Sequence, residues 1–176
     1  MSQRTDSFPS TVFTAASGAF VVLSLFYWLT GVDGLRKVVA ENIGLFETAA
    51  FVISLFFFIL LFFAMLQMRG FNIRAKILCF LSTVLIAGNV IVLFAMIYLT
   101  RGLLENGKAI APTQFEGMYF SILVFTGNGW GEFLPTSITR IVVLVQTVLG
   151  VLFFPMLISS MLLLFEAAAP ARSSHT

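Results

Sequence analysis

Charge is scarce in this chain, with 10 lysines and arginines and 8 aspartates and glutamates among 176 residues. Soluble domains carry roughly 25% charged residues, so a share of 10% excludes a surface built to face water on all sides. Cysteine and histidine occur once each, as Cys79 and His175. A single cysteine closes no intrachain disulfide, and one histidine far from it excludes clustered metal sites and Cys/His catalysis. No enzyme is expected. A formal charge of +2 carries no sign of a nucleic-acid partner. What the chain has in abundance is apolar: 59% hydrophobic residues, 21 phenylalanines and a mean hydropathy of +1.02. Its solvent is therefore the lipid bilayer, and it reads as an integral membrane protein.

Four segments meet the requirement of about 20 apolar residues per crossing. They run from Val12 to Leu29, Leu45 to Met68, Ala75 to Leu99 and Ile141 to Phe165. The first is read as a helix, not a cleaved leader, because Arg4 is offset by Asp6 and no small-x-small cleavage site follows. The connection from Arg69 to Lys76 holds Arg69, Arg74 and Lys76 with no acid, whereas the segments Gly31 to Gly44 and Thr100 to Arg140 are balanced. That asymmetry predicts a cytoplasmic loop, hence a multi-pass protein of the cell membrane with both termini cytoplasmic. Neither of the first two spans carries arginine at every third position, which argues against voltage sensing of the usual kind. Glu47 and Asn89 are the polar residues there most in need of partners, although Glu47 lies near enough to the interface to be hydrated. The residues after Phe165 are expected to encode no cytoplasmic ligand-binding domain.

Gly127-Asn128-Gly129-Trp130-Gly131 stands between a short apolar stretch and the last span. Irregular backbone is tolerated at membrane depth only where protein buries it or where it lines a water-filled path. Carbonyls freed in this way are the material of a cation filter. The preceding stretch, Phe115 to Thr126, reaches only about halfway across at 1.5 Å per residue, so it is re-entrant if it enters the bilayer at all. Pro112, then Thr113 with Glu116 three residues on, marks a capping box at its start. A half-helix pointing inward aims its partial negative end at the midplane, where it favours a cation.

From Tyr119 to Gly150 the chain resembles the pore module of the tetrameric potassium channels. That module orders a pore helix, a T-x-G-Y-G strand, an acid, a proline and a glycine-hinged inner helix. Tyr119 and Phe120 fall on the family's aromatic pair, and Ser121 on its serine. Gly129, Trp130 and Gly131 stand for Gly-Tyr-Gly, Glu132 for the following aspartate and Pro135 for the proline, while Arg140 precedes Gly150 as the family's arginine precedes its hinge glycine. The resemblance implies a homotetramer, with lipid and further copies of the chain as its partners. Potassium or sodium ions would pass through it, and no resident cofactor or metal is implied beyond those permeant ions. Residues 75–176 would form the pore module and 1–74 a preceding two-helix segment. The fold class that follows is an all-α membrane protein with four transmembrane helices per chain, a re-entrant pore helix and an extended filter strand.

The departures concern the filter. Gly127 stands where the family has the opening threonine and Asn128 where it has valine, unless Thr126 reclaims the threonine's place through a bulge. Fewer or looser ion sites follow, and with them weaker potassium selectivity. Asn128 is either an amide bonded to the pore helix or a side chain facing the ions. Glu132 is either one member of an acidic outer ring or the partner of Arg140. Leu123 replaces a carboxylate that in some members braces the filter acid. In the last span the resemblance turns Thr147, Val151, Phe154, Ile158 and Leu162 toward the pore as cavity or gate residues. Gly150 and Pro155 would act there as a hinge or as static kinks. A non-conducting relative of these channels, and an unrelated four-helix membrane protein, are the competing readings.

Overall fold

The computed structural model describes residues 7–29, 37, 39–68, 71–129 and 131–168. Five helices dominate: α1 (Ser7–Leu29), α2 (Ile43–Gln67), α3 (Ile73–Arg101), α4 (Gln114–Thr126) and α5 (Thr139–Ala168). Between them lie three short strands, β1 (Leu103–Glu105), β2 (Lys108–Ile110) and β3 (Phe133–Pro135). Helices α1, α2, α3 and α5 are long and apolar enough to cross a membrane, whereas α4 has 13 residues and is not. The charged residues Arg4, Asp6 and Arg69, together with His175, lie outside the described residues.

Helix α3 is the axis of the protomer. Half of its apolar window is buried, against 17% for α1 and 22% for α2, and all four other helices pack along it. Its start is fixed by Asn72, whose side chain accepts from the Ala75 N–H at 2.9 Å and so satisfies one of the helix's orphan donors. Apolar side chains alone give helices little reason to associate in lipid, so close approach and polar ties must do it. Gly88 of α3 leaves room for the Phe20 ring of α1, which would lie 3.0 Å from an added Cβ. Asn89, one residue on, donates its amide to the Ala16 carbonyl of α1 at 3.2 Å and to Leu85 at 2.9 Å. Glu47 is paired: Arg101 at the far end of α3 meets it through two N–H···O bonds of 2.8 and 2.9 Å. This fork ties α2 to α3 at the end where hydration alone was one expectation for Glu47.

The all-α expectation needs correction, because β1, β2 and β3 form a three-stranded antiparallel sheet in the order β2-β1-β3. Asn106 and Gly107, both at positive φ (50° and 77°), make the two-residue hairpin turn between β1 and β2. Glu105 then faces Lys108, and on the other edge Glu105 pairs with Phe133 and Leu103 with Pro135. The sheet thus fastens the segment just after Gly131 and Glu132 to the end of α3.

A fully buried chain of hydrogen bonds joins α3, α4 and α5. The Tyr98 hydroxyl donates to Gln146 Oε1 at 2.7 Å. The Gln146 amide donates to the Ser121 hydroxyl at 2.7 Å and to the Ser121 carbonyl at 3.0 Å. The Ser121 hydroxyl in turn donates to the Ile91 carbonyl at 2.7 Å. Tyr98, Ser121 and Gln146 are each 0% exposed, and every link has a partner. Phe120 meets the Tyr98 ring edge-on at 4.8 Å, covering the network with an apolar lid. Breaking one link strands the others away from water. Gln146→Leu is expected to lower stability in detergent by about 1 to 2 kcal/mol, measured by thermal unfolding. Ser121→Ala added to it should cost less than Ser121→Ala alone, since the two act on one network.

Candidate functional site

The site is built on α4. Its first turn is fixed by the capping box expected from the sequence: the Thr113 hydroxyl accepts from the Glu116 N–H at 3.3 Å, and the Glu116 carboxylate accepts from the Thr113 N–H at 2.6 Å. Its middle is held by Ser121. Its last turn lies against α5, where a Cβ added at Gly150 would sit 2.0 Å from the Phe125 carbonyl oxygen and 3.0 Å from its carbon. Only a glycine admits that approach. Gly150 lies roughly 16 Å along α5 at 1.5 Å per residue, so the C-terminal end of α4 rests well inside the length of its long neighbours.

The helix stops by a pattern written in its backbone. The Gly127 N–H bonds the Val124 carbonyl at 3.2 Å and the Asn128 N–H bonds Leu123 at 3.0 Å, with Gly127 left-handed at φ 71°, ψ 14°. This is a Schellman motif, and it needs the freedom of glycine at 127. Beyond it Gly129 (φ 91°) and Gly131 (φ 59°) are again left-handed, so the segment is not a β-strand; positive φ recurs at every second residue. Trp130 lies outside the described residues. Thr126 is the last helical residue. Its hydroxyl turns back to the Ile122 carbonyl at 2.8 Å and accepts from the Asn128 amide at 3.0 Å. Asn128 is therefore bonded to the end of α4, yet it is exposed together with Gly127, Gly129, Gly131 and Glu132.

The far end of this segment is backed by α4. A Cβ at Gly131 would lie 3.1 Å from Leu123 Cδ1 and 3.3 Å from the Tyr119 hydroxyl, and Tyr119 also meets the Phe133 ring edge-on at 6.4 Å. Leu123 and Tyr119 thus pack where a carboxylate brace was missed in the sequence. Glu132 and Arg140 are both exposed and form no ion pair with each other. A groove of about 440 Å³ separates Gly127 and Gly129 from Arg140, Leu144 and Thr147 of α5.

Along α5 the buried positions are Thr139, Val143, Gln146, Leu149, Gly150, Phe153, Met156 and Ser160. Thr147 is half-buried, and Phe154, Ile158 and Leu162 are exposed at 42%, 56% and 57%. The stripe therefore lies on a face that the protomer leaves uncovered, but Leu144, Val148 and Leu152 are uncovered too, so exposure alone does not single it out. Pro155 sits inside the helix without ending it, and its carbonyl accepts from the Ser159 hydroxyl at 2.7 Å. Sequence reasoning missed Tyr98 and Gln146. A glutamine within a long apolar span was the available signal, since a polar side chain at that depth needs a named partner.

Gly150→Ala is expected to push the end of α4 away from α5 and to destabilise by more than the 1 to 3 kcal/mol or so of ordinary overpacking. Gly18→Ala, where a Cβ meets nothing within 4 Å, should leave thermal unfolding unchanged.

Searches against curated proteins and against solved structures returned no match. A family model described as "Ion channel" matches residues 79–167. The matched region starts within α3 and takes in the three-stranded sheet, α4, the glycine segment and nearly all of α5, just over half of the chain. With four membrane-length helices and this half-length helix among them, the chain belongs to that ion-channel family.

Proposed function

We propose that four copies of the chain surround one axis and conduct monovalent cations, potassium or sodium, across the cell membrane. The observation that carries this is the backbone after α4, where Gly127, Gly129 and Gly131 take positive φ at alternate residues. A β-strand points successive carbonyls to opposite sides. Alternating left-handed residues let successive carbonyls face the same way, as ion coordination requires. Those groups are uncovered in one protomer, and symmetry mates around an axis would give them a shared, water-filled path.

In this reading α4 is the re-entrant pore helix, and residues 126–131 form the filter. Its entry is weak. Gly127 is committed to ending α4, and the Thr126 hydroxyl is engaged with Ile122 and Asn128, so neither presents a free hydroxyl to an innermost ion. Glu132, repeated by symmetry, gives an acidic outer mouth that concentrates cations. Phe154, Ile158 and Leu162 converge below as an apolar constriction that sheds water when narrow, and Gly150 and Pro155 place any bend of α5 between filter and gate. The basic loop 69–76 on the cytoplasmic side puts both termini inside, and with them the sheet and the Glu47–Arg101 pair outside. Residues 75–176 form the pore module, and 1–74 add two helices to it.

Cross-linking in detergent is expected to give a tetramer as the largest discrete species; a folded monomer would overturn the assembly. In liposomes bathed by sodium on one side and potassium on the other, the reversal potential should fall clearly short of the potassium equilibrium value. A value at that equilibrium refutes the argument from the weak filter entry. Ile158→Ser or Leu162→Ser should raise basal conductance several-fold by wetting the constriction, provided assembly is unchanged. Assembled serine variants that conduct no more than the parent place the closed point in the filter.

A further inference from the structure

Helix α1 lies wholly outside the residues matched by the ion-channel family, yet it meets α4 directly. It ends at Leu29, and the Gln114 amide caps its last turn, donating to the Trp28 carbonyl at 3.2 Å and to the Tyr27 carbonyl at 3.4 Å. The exchange is reciprocal, because the Tyr27 hydroxyl donates to the Gln114 carbonyl. Trp28 then meets Phe115 edge-on at 6.3 Å. Gly117 lets α4 sit close to α3, where a Cβ would lie 3.3 Å from the Ala95 carbonyl, and at 3.8 Å from the Tyr27 hydroxyl it leaves an ordinary contact. Tyr27 itself is 3% exposed and Gln114 half-buried, while Trp28 and Phe115 stay exposed, so the joint has a buried hydroxyl beneath an open aromatic rim.

We infer that α1 braces the pore helix, with Tyr27 and Gln114 as positioning residues that set where the filter entrance stands. The inference rests on the channel reading above. Helix α4 is held at three places: its first turn by α1, its middle by the Ser121 bonds to Ile91 and Gln146, and its last turn by Gly150. The second and third holds come from α3 and α5. Only the first comes from an added helix. A 13-residue helix is a stiff rod of about 20 Å, and Ser121 lies near its centre. Movement at Gln114 about that pivot returns at Thr126 and Gly127 with similar size and opposite sense. Selectivity depends on the placement and stiffness of filter carbonyls, so loosening the outer joint loosens the filter without touching an ion.

The test uses the full chain in liposomes and compares Tyr27→Phe, Gln114→Leu and their double variant with Val21→Ala, a change on the 55%-exposed outer face of α1. Tyr27→Phe keeps the ring and deletes only the hydroxyl. Three quantities are read: the cross-linked tetramer fraction, the potassium-to-sodium permeability ratio, and hydrogen exchange of the amides of residues 115–129. Each single variant should leave the tetramer fraction intact, shift the permeability ratio by roughly threefold, as loss of one or two weak interhelical bonds allows, and speed exchange. The double variant should shift little further, because both residues serve one joint. Val21→Ala should change nothing. If the parent conducts and neither ratio nor exchange moves in any variant, the brace is overturned. If the parent does not conduct, the channel reading falls and exchange alone decides the brace: faster exchange upholds it and unchanged exchange overturns it.

Discussion

A helix that is too short to cross a bilayer has to end among its neighbours, and the Gln146 side chain is what holds α4 there. Its amide reaches Ser121 on α4 while its carbonyl oxygen takes the Tyr98 proton from α3. Lipid offers such groups no alternative partner, so each bond fixes a direction as well as a distance. Two of the three helices involved are long, and the third hangs between them. The close approach at Gly150 then sets how deep α4 can go, since the Phe125 carbonyl already occupies the space where a side chain would stand. Phe153 fills the adjoining volume, its ring lying 5.7 Å from Phe125 and 5.8 Å from Phe58 of α2.

The end of the protomer that carries the sheet is organised by different means. There the chain can meet water, and β-structure, caps and an ion pair replace the buried network. The sheet joins β3 to β1 and so anchors the exit of the glycine segment to the end of α3. The Glu47–Arg101 fork holds α2 to the same end, at side-chain exposures of 23% and 26% that leave the pair partly solvated. Such a pair contributes modestly to stability, but its two parallel bonds specify orientation. With α1 joined to Gln114 and Gly117 close to Ala95 of α3, the first half of α4 is held by both helices, and α2 is fastened to the end of α3.

The glycine segment shows one sequence serving two demands. Gly127 must be left-handed to end α4 by the Schellman pattern, and a β-branched residue is poorly suited to that conformation. The channel modules that the segment resembles place threonine at the corresponding point. A chain that uses the position to stop α4 gives up a hydroxyl there, and the nearest one, on Thr126, is turned back into the helix. In the function proposed here, weaker discrimination among monovalent cations is what that geometry is expected to cause.

Composition and hydropathy by themselves determined the membrane environment, the four long helices and the half-length one, because span length and apolar content are properties of consecutive residues. The helices found, such as Ile73–Arg101 for the expected Ala75 to Leu99, differ from those read in the sequence by at most five residues at an end, and the ends at Leu29 and Thr126 coincide. The capping box at Thr113 and Glu116 was legible for the same reason, being a contact between residues three apart. The sheet was missed in the sequence: Asn106-Gly107 is a hairpin signal that went unread, and the pairing of β1 with β3 joins segments separated by all of α4. The roles of Tyr98, Gln146 and Gly150 were decided by tertiary structure alone. Gly150 read as a hinge because glycine frees a backbone, and in the fold it also fits a carbonyl from another helix. Which of those demands a glycine serves depends on what lies across from it, and no local pattern in the chain states that.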